Sequence, residues 1–299
     1  MNTILHDLAE RKVLVSDGAW GTFLVQKGMR PGECPELWNA EHRNAVLDIA
    51  RSYVDSGSDI IGTNSFGGSR FKLCHFGLVE RLAELNEAAA AISREAAGAD
   101  KHVAASIGPT GKFLMTGEVS DEEMYDAFRE QALALERGGA DACCIETMAA
   151  IDEAILAVRA AKENTSLQVI CTFTYNQIGE GQYRTMMGVS PTEMAAAILE
   201  AGADIIGANC GHGGKQMVGI VRELRAAAPA VPIMVQANAG MPVQTEQGVS
   251  YPETPAITAG WTPHLLDAGA NIIGGCCGTT PAHVRAIRDE VSRYLSKGR

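Results

Sequence analysis

The 299-residue sequence lacks any apolar stretch that approaches the ~20 residues needed for a membrane-spanning helix. Residues 1–12 are polar and contain no apolar segment of the kind that a secretion signal carries. No segment is rich in proline or serine, and none is of low complexity, so nothing marks a linker. We therefore expect a cytoplasmic protein without a membrane partner, folded as one domain over residues 1–299.

Positive charge is in deficit. The sequence has 25 Lys and Arg against 36 Asp and Glu, which gives a formal net charge of −11 and a pI near 5.1. Such a surface repels phosphate backbones, so we expect no nucleic-acid partner. Apolar residues make up 46% of the chain, which is enough for a sizeable core.

Disulfides are not expected, although the sequence contains eight cysteines. In a long chain without a secretion signal, cysteines are typically reduced thiols or metal ligands. Cys143, Cys144 and Cys171 lie within apolar runs, where a free cysteine packs as a small hydrophobic side chain. We interpret Cys34 and Cys74 as loop or helix positions without a partner.

Short apolar runs alternate with amphipathic helical patterns along the chain. The eight predicted strands are Val13–Ser16, Asp59–Thr63, His102–Ile107, Ala142–Glu146, Leu167–Phe173, Asp204–Asn209, Pro232–Gln236 and Asn271–Gly275. Eight alternating units in this length predict an α/β fold, a (β/α)8 TIM barrel. A doubly wound sheet is the alternative, and we disfavour it because no glycine-rich phosphate loop follows the first strand.

Polar residues and thiols concentrate at the ends of the predicted strands, which is where a barrel carries its active site. Cys210 ends the sixth strand, and Cys276 and Cys277 follow the eighth. Consecutive residues of an extended strand point to opposite faces, so the pair binds one ion only if the chain turns there. Three neighbouring glycines permit such a turn: Gly274, Gly275 and Gly278. The alternatives are a buried apolar pair and a vicinal disulfide.

Three thiolates around zinc leave a fourth position open for a substrate. Soft sulfur ligands suit zinc better than magnesium or calcium. A substrate thiol in the fourth position would lose its proton and become a nucleophile. The three thiols therefore indicate alkyl transfer to a thiol.

Two carboxylates end the first and fourth strands. Asp17 and Glu146 face the expected mouth, where they would accept hydrogen bonds from a substrate ammonium group. The alternatives are a turn-forming aspartate and a helix N-terminal acid. Backbone amides around Gly18 and Ala19 would hold a substrate carboxylate. His212 is a fourth ligand, a lid residue or a plain loop residue.

Taken together, the motifs resemble the homocysteine S-methyltransferase family, which includes the homocysteine-binding barrel of cobalamin-dependent methionine synthase. The similarity runs from about Val13 to Val291. The matching runs are Asp17-Gly18-Ala19-x-Gly21-Thr22, Thr63-Asn64-Ser65-Phe66, Gly108-Pro109-Thr110-Gly111, Glu146-Thr147, Asn209-Cys210, Asn238-Ala239-Gly240 and Gly274-Gly275-Cys276-Cys277-Gly278-Thr279-Thr280-Pro281.

The resemblance implies zinc-dependent methylation of homocysteine to methionine in a (β/α)8 barrel. The implied zinc ligands, which are also the catalytic residues, are Cys210, Cys276 and Cys277. The implied homocysteine contacts are Asp17, Gly18, Ala19, Glu146 and Asn209. Of these, the two carboxylates would meet the amino group and the glycine and alanine amides the carboxylate. The asparagine would support the neighbouring ligand or the substrate.

The resemblance leaves the methyl donor open, because family members use S-methylmethionine, S-adenosylmethionine, betaine or a corrinoid. The chain stops at Arg299 before any folate- or cobalamin-binding module. We therefore expect either methylcobalamin carried on a separate corrinoid protein or a methylsulfonium donor. Two alternatives stay open: a thiol or selenol methyltransferase component of a corrinoid demethylation pathway, and a non-catalytic barrel.

Overall fold

The computed structural model describes residues 3–245 and 248–297. The strands are β1 (Leu14–Val15), β2 (Ile60–Ile61), β3 (His102–Ile107), β4 (Ala142–Met148), β5 (Gln168–Phe173), β6 (Asn176–Gly179), β7 (Gln182–Arg184), β8 (Ile205–Asn209), β9 (Ile233–Ala237), β10 (Val243–Thr245), β11 (Gly248–Ser250) and β12 (Ile272–Gly275).

The helices alternate with the strands. They are α1 (Ile4–Arg11), α2 (Gly21–Gln26), α3 (Trp38–Glu41), α4 (Arg43–Asp55), α5 (Arg70–Cys74), α6 (Leu82–Ala97), α7 (Asp121–Arg137), α8 (Ile151–Asn164), α9 (Pro191–Glu200), α10 (Gly214–Ala227), α11 (Pro255–Gly260), α12 (Thr262–Asp267) and α13 (Pro281–Lys297). Short 3₁₀ helices cover Pro35–Leu37, Val79–Arg81 and Leu114–Thr116. Within the described ranges, no helix is both long and apolar enough to cross a membrane.

Parallel strands pair side by side in the order β1-β12-β9-β8-β5-β4-β3-β2. A bridge between Ser16 and Ile60 joins β1 to β2 and closes the ring. An open doubly wound sheet would leave these two strands apart at its edges, so that alternative is excluded. The predicted (β/α)8 barrel is confirmed.

The barrel interior is apolar at the end where the strands begin. Side chains from successive strands, among them Leu14, Ile60 and Ile170, pack there in one cluster. Helix α1 adds Ile4 and Leu8, which close this end of the barrel. Because this end is filled, the polar strand ends are left to line the opposite mouth.

Two hairpins decorate that mouth. Strands β6 and β7 pair antiparallel directly after β5, where the sequence did not predict strands. Residues 238–262 show no helix or strand pattern in the sequence, yet they contain the antiparallel pair β10–β11 and helix α11. Its residues 246 and 247 lie outside the described part of the chain.

Asp59 joins three parts of the closed end of the barrel. It is 3% exposed, accepts a hydrogen bond from Val15 N at 2.9 Å, and forms ion pairs with Arg288 and with Arg11, the latter at 2.8 Å. Burial opposes its charge, but the two arginines and the Val15 amide outweigh burial and lower the pKa of Asp59.

Asp59→Asn should lower the free energy of unfolding by about 3 kcal/mol, because Arg288 would be left half-buried without its counter-charge. Urea unfolding at neutral pH measures the loss. Glu95→Gln, which removes the shared partner of two exposed arginines, Arg43 and Arg51, is the control and should leave the unfolding midpoint nearly unchanged. Equal losses in the two variants would contradict the role given to Asp59.

Candidate active site

A cavity of about 450 Å³ lies at the ends of the barrel strands. The sequence-predicted residues that line it are Asp17, Gly18, Ala19, Glu146, Cys210, Cys276 and Cys277. The remaining predicted residue, Asn209, is fully buried behind the wall. The structure therefore brings together residues that are up to 260 positions apart in sequence, such as Asp17 and Cys277.

The three predicted thiols form one cluster. Cys277 Sγ lies 4.0 Å from Cys210 Sγ and 4.0 Å from Cys276 Sγ, and all three sulfur atoms lie within 4.8 Å of one another. Tetrahedral zinc with Zn–S bonds of about 2.3 Å places its sulfur ligands about 3.8 Å apart. The cluster thus has the spacing of a three-thiolate zinc site.

The backbone turns where the paired cysteines require it. Strand β12 ends at Gly275, and Thr279 N donates to Cys276 O at 3.1 Å. Gly278 has a φ of +78°, a conformation in which a side chain is strained. Cys210 also has a positive φ, of 61°, which is uncommon for a residue with a side chain and typical of functional positions.

The thiols influence one another's ionisation. Hydrogen bonds from Cys276 and Cys277 lower the pKa of Cys210, whereas hydrogen bonding to Cys210 and burial raise the pKa of Cys276 and Cys277. One thiolate is therefore stabilised by two thiols, and loss of the other two protons requires a cation among the sulfur atoms. The residues present fit a thiolate-bound divalent metal.

The other thiols and His212 lie outside this cluster in the described residues. His212 Nε2 accepts a hydrogen bond from Gln177 N at 3.3 Å, so it takes a loop position. The predicted burial of Cys143, Cys144 and Cys171 is confirmed. Cys34 lies in a loop as expected, but the expectation that it has no partner was wrong, because its buried thiol donates to Glu36 Oε2 at 3.3 Å.

Asp17 is 2% exposed in the cavity wall. Its Oδ2 accepts hydrogen bonds from Trp20 Nε1 at 2.8 Å and Gly62 N at 2.6 Å, and its Oδ1 accepts one from Ser16 Oγ at 3.3 Å. Burial outweighs these bonds and raises the pKa of Asp17 to about 6. A positive charge placed beside it would restore the ionised form.

Glu146 is a further carboxylate of the cavity wall, which Glu36 also lines. Its Oε1 accepts a hydrogen bond from Ser106 Oγ at 2.5 Å, and its Oε2 accepts one from Asn209 Nδ2 at 3.3 Å. Burial, together with the nearby charge of Asp17, raises its pKa to about 7. The two carboxylates repel each other, so the cavity favours a cationic group between them.

Gly18 and Ala19 follow Asp17 along the wall. The Ala19 amide donates to Thr279 Oγ1 at 3.1 Å, and the same hydroxyl donates to Cys276 O at 2.6 Å. This pair of bonds connects the loop after β1 to the cysteine turn. A side chain at Gly18 would collide with Thr279, because its Cβ would lie 2.8 Å from Thr279 Oγ1.

Asn209 connects the thiol and carboxylate parts of the site. Its Oδ1 accepts hydrogen bonds from Thr147 N at 2.8 Å and Thr172 Oγ1 at 2.7 Å. Its Nδ2 donates to Thr147 Oγ1 at 2.8 Å and to Glu146, and lies 3.9 Å from Cys276 Sγ. Thr147 has a φ of 63°, and these bonds hold it in that strained conformation.

Sequence reasoning missed three polar side chains around the carboxylates: the hydroxyls of Ser16 and Ser106, which donate to Asp17 and Glu146, and the amide of Gln236, which donates to Ser16. Ser16, Ser106 and Gln236 line the cavity beside Asp17 and Glu146. Each lies inside or next to an apolar strand. A polar residue among apolar residues that face the barrel interior is the signal by which they could have been identified.

The site can be compared with known proteins. A family model described as homocysteine S-methyltransferase matches residues 14–291. Methionine synthase of Mycobacterium tuberculosis (strain ATCC 25618 / H37Rv) is 30% identical over 97% of this chain, and this chain spans 26% of that protein. Betaine–homocysteine S-methyltransferase 1 of Danio rerio is 30% identical over 97% of this chain and 75% of that protein.

The fold has solved counterparts. The homocysteine methyltransferase MmuM from Escherichia coli, in its metallated form, superposes with a TM-score of 0.77 at 23% identity, covering 94% of this chain and 97% of that one. This likeness supports the barrel. The family model and the relatives confirm the resemblance that the motifs indicated: the chain belongs to the homocysteine S-methyltransferase family.

Proposed function

We propose that residues 1–299 form a single homocysteine-binding unit that transfers a methyl group to the homocysteine sulfur and yields methionine. The observation that carries the proposal is the placement of three convergent thiols and two buried carboxylates around one cavity. The proposal is supported by relatives named methionine synthase and betaine–homocysteine S-methyltransferase 1.

Cys210, Cys276 and Cys277 would hold the metal. When bound, zinc would supply a fourth coordination position at which a substrate thiol loses its proton. All three donors of the cluster are sulfur atoms, which suits zinc.

The remaining wall residues would bind the amino acid part of homocysteine. Asp17 and Glu146 would accept hydrogen bonds from its ammonium group, and the loop at Gly18 and Ala19 would lie next to its carboxylate. The buried position of both carboxylates excludes water from the ammonium group and strengthens each contact.

The same geometry indicates the chemical class of the methyl donor. A group that delivers a methyl cation equivalent to a thiolate must present its methyl carbon at the cavity mouth, in line with the sulfur. We propose a methylated corrinoid on a separate protein or a methylsulfonium compound, and the bond from the methyl carbon to the donor breaks as the carbon–sulfur bond forms.

The test combines metal content with a donor panel. Reduced protein is expected to contain about one zinc per chain by mass spectrometry. It is then given homocysteine with methylcobalamin, a methylated corrinoid protein, S-methylmethionine, S-adenosylmethionine or betaine, and methionine is quantified. Rates with selenocysteine and with other thiols as acceptors are compared with the rate for homocysteine. A faster reaction with one of them would favour the alternative of a demethylation pathway. Protein that binds zinc but forms no methionine from any donor would contradict the proposal.

Asn209→Ala should weaken zinc binding about 10- to 100-fold, because its amide nitrogen approaches Cys276 Sγ and orients the strand end before Cys210. Competition with a chromophoric chelator measures the affinity. Thr172→Val is the matched control, since it removes one partner of Asn209 but leaves the sulfur contact. If both variants lost zinc to the same extent, the sulfur contact would not be the cause.

A further inference from the structure

Gln236 is a polar residue of β9 that points into the cavity from among apolar neighbours. Only 9% of its surface is exposed, and it lines the cavity wall together with Met234 of the same strand. Its Nε2 donates to Ser16 Oγ at 3.3 Å, whereas its Oε1 is buried without a hydrogen-bond partner. A buried acceptor left unpaired is unfavourable unless a ligand completes it.

The hydrogen-bond chain fixes which atom of the amide faces the cavity. Ser16 has one hydroxyl proton, and it is donated to Asp17 Oδ1 at 3.3 Å. The hydroxyl can then only accept a hydrogen bond from Gln236, so the amide nitrogen must face Ser16. The carbonyl oxygen Oε1 is therefore the atom that remains for a ligand.

The neighbouring acceptors indicate the ligand group. A carboxylate has about four acceptor positions. Asp17 uses three, for Trp20, Gly62 and Ser16, and Glu146 uses two, for Ser106 and Asn209. This leaves about one position on Asp17 and two on Glu146, and all of them accept N–H or O–H bonds only. The unpaired Oε1 of Gln236 adds a neutral acceptor to the same wall, so the wall favours a group that donates several N–H bonds.

We propose that Gln236 Oε1 is the third acceptor for the ammonium group of the substrate, beside Asp17 and Glu146. An ammonium group has three N–H donors, and three acceptors of this wall satisfy all of them. The neutral amide adds an acceptor without adding a third negative charge to two carboxylates that already repel each other. This inference rests on the proposed function, because it assumes an amino acid substrate.

The experiment compares homocysteine with 4-mercaptobutanoate, which has the thiol and carboxylate but no amino group. Binding to the zinc-containing protein is measured by calorimetry. Gln236→Met keeps the size of the side chain but has no carbonyl oxygen. It should weaken homocysteine binding about tenfold and leave 4-mercaptobutanoate binding unchanged. An equal change for both ligands, or none for homocysteine, would overturn the inference.

Gln236→Glu provides an independent test should the methionine variant fold poorly. It keeps an oxygen at the position of Oε1 and adds a negative charge, which attracts an ammonium group and repels a ligand that has only a carboxylate. The ratio of the homocysteine affinity to the 4-mercaptobutanoate affinity should therefore rise above that of the wild type. A parallel loss for both ligands would overturn the inference.

Gln131→Met is the matched control. Gln131 is also buried with an unpaired Oε1, but it does not line the cavity. Its replacement should leave the ratio of the two affinities unchanged. If the wild-type protein binds no homocysteine at all, the proposed function itself fails. If the wild type binds homocysteine but the Gln236 variant changes the affinity for both ligands equally, only the role of Gln236 fails.

Discussion

Cys276→Ser is expected to remove the bound zinc and to lower methyl transfer by more than a hundredfold while the barrel stays folded. Changes to residues that only support a metal ligand reduce affinity or activity 10- to 100-fold, so loss of a ligand should exceed that range. A serine hydroxyl stays protonated at neutral pH and does not replace a thiolate. Zinc per chain after dialysis, measured with circular dichroism on the same sample, checks both statements.

Cys74→Ser is the matched control for this prediction. Cys74 is exposed at the end of α5 and lies outside the thiol cluster, so its loss should leave zinc content and activity unchanged. A Cys276→Ser protein that retains one tightly bound zinc would exclude Cys276 as a ligand.

Glu146→Gln is expected to weaken homocysteine binding about thirtyfold at pH 7.5. The substitution replaces a charge-assisted hydrogen bond to the ammonium group by a neutral one, which corresponds to about 2 kcal/mol. Calorimetric titration of zinc-containing protein measures the change. Glu153→Gln is the control, since Glu153 is also buried and its pKa is also raised by burial, but it binds Thr110 outside the cavity.

The same carboxylate sets a pH dependence. An ammonium group is bound by the ionised form, and the pKa of Glu146 without ligand is about 7. Affinity should therefore fall as the pH falls, by roughly twentyfold between pH 7.5 and 5.5 from Glu146. Asp17, with a pKa of about 6, should add about fourfold over the same range.

Methionine is the appropriate ligand for this titration, because its sulfur carries no proton that titrates. Glu146→Gln should retain only the shallower dependence that Asp17 produces. Parallel pH profiles for the wild type and the variant would show that Glu146 does not meet the ammonium group.

The strand pattern could be predicted because each strand is a local apolar run. The predicted strand His102–Ile107 matches β3 at both ends. The first two strands are shorter than predicted, since only Leu14–Val15 and Ile60–Ile61 pair regularly. Hairpins β6–β7 and β10–β11 were missed because strands β6 and β10 are exposed along their whole length and have no apolar pattern.

The site was predictable to the extent that its residues stand at strand ends. Cys210 and the Cys276–Cys277 pair could be placed together because parallel strands end at the same mouth of a barrel. The contacts of Asn209 and Gln236 could not be predicted, because they depend on which interior side chains the register of β8, β9 and β12 brings into one layer. Sequence spacing contains no information on that layer.

The ring of strands closes between β1 and β2, and the backbone pairing there is shorter than between the other neighbouring strands of the ring. Between β1 and β2 the regular pairing is one bridge, from Ser16 to Ile60. On either side of it, Asp59 N donates to Val15 O at 2.7 Å and Gly62 N donates to Asp17 at 2.6 Å. A ligand that binds Asp17 therefore lies beside the shortest strand pairing of the ring. Part of the binding free energy of the ligand would stabilise this pairing. The affinity for the amino acid and the stability of the barrel are therefore linked through the carboxylate of Asp17.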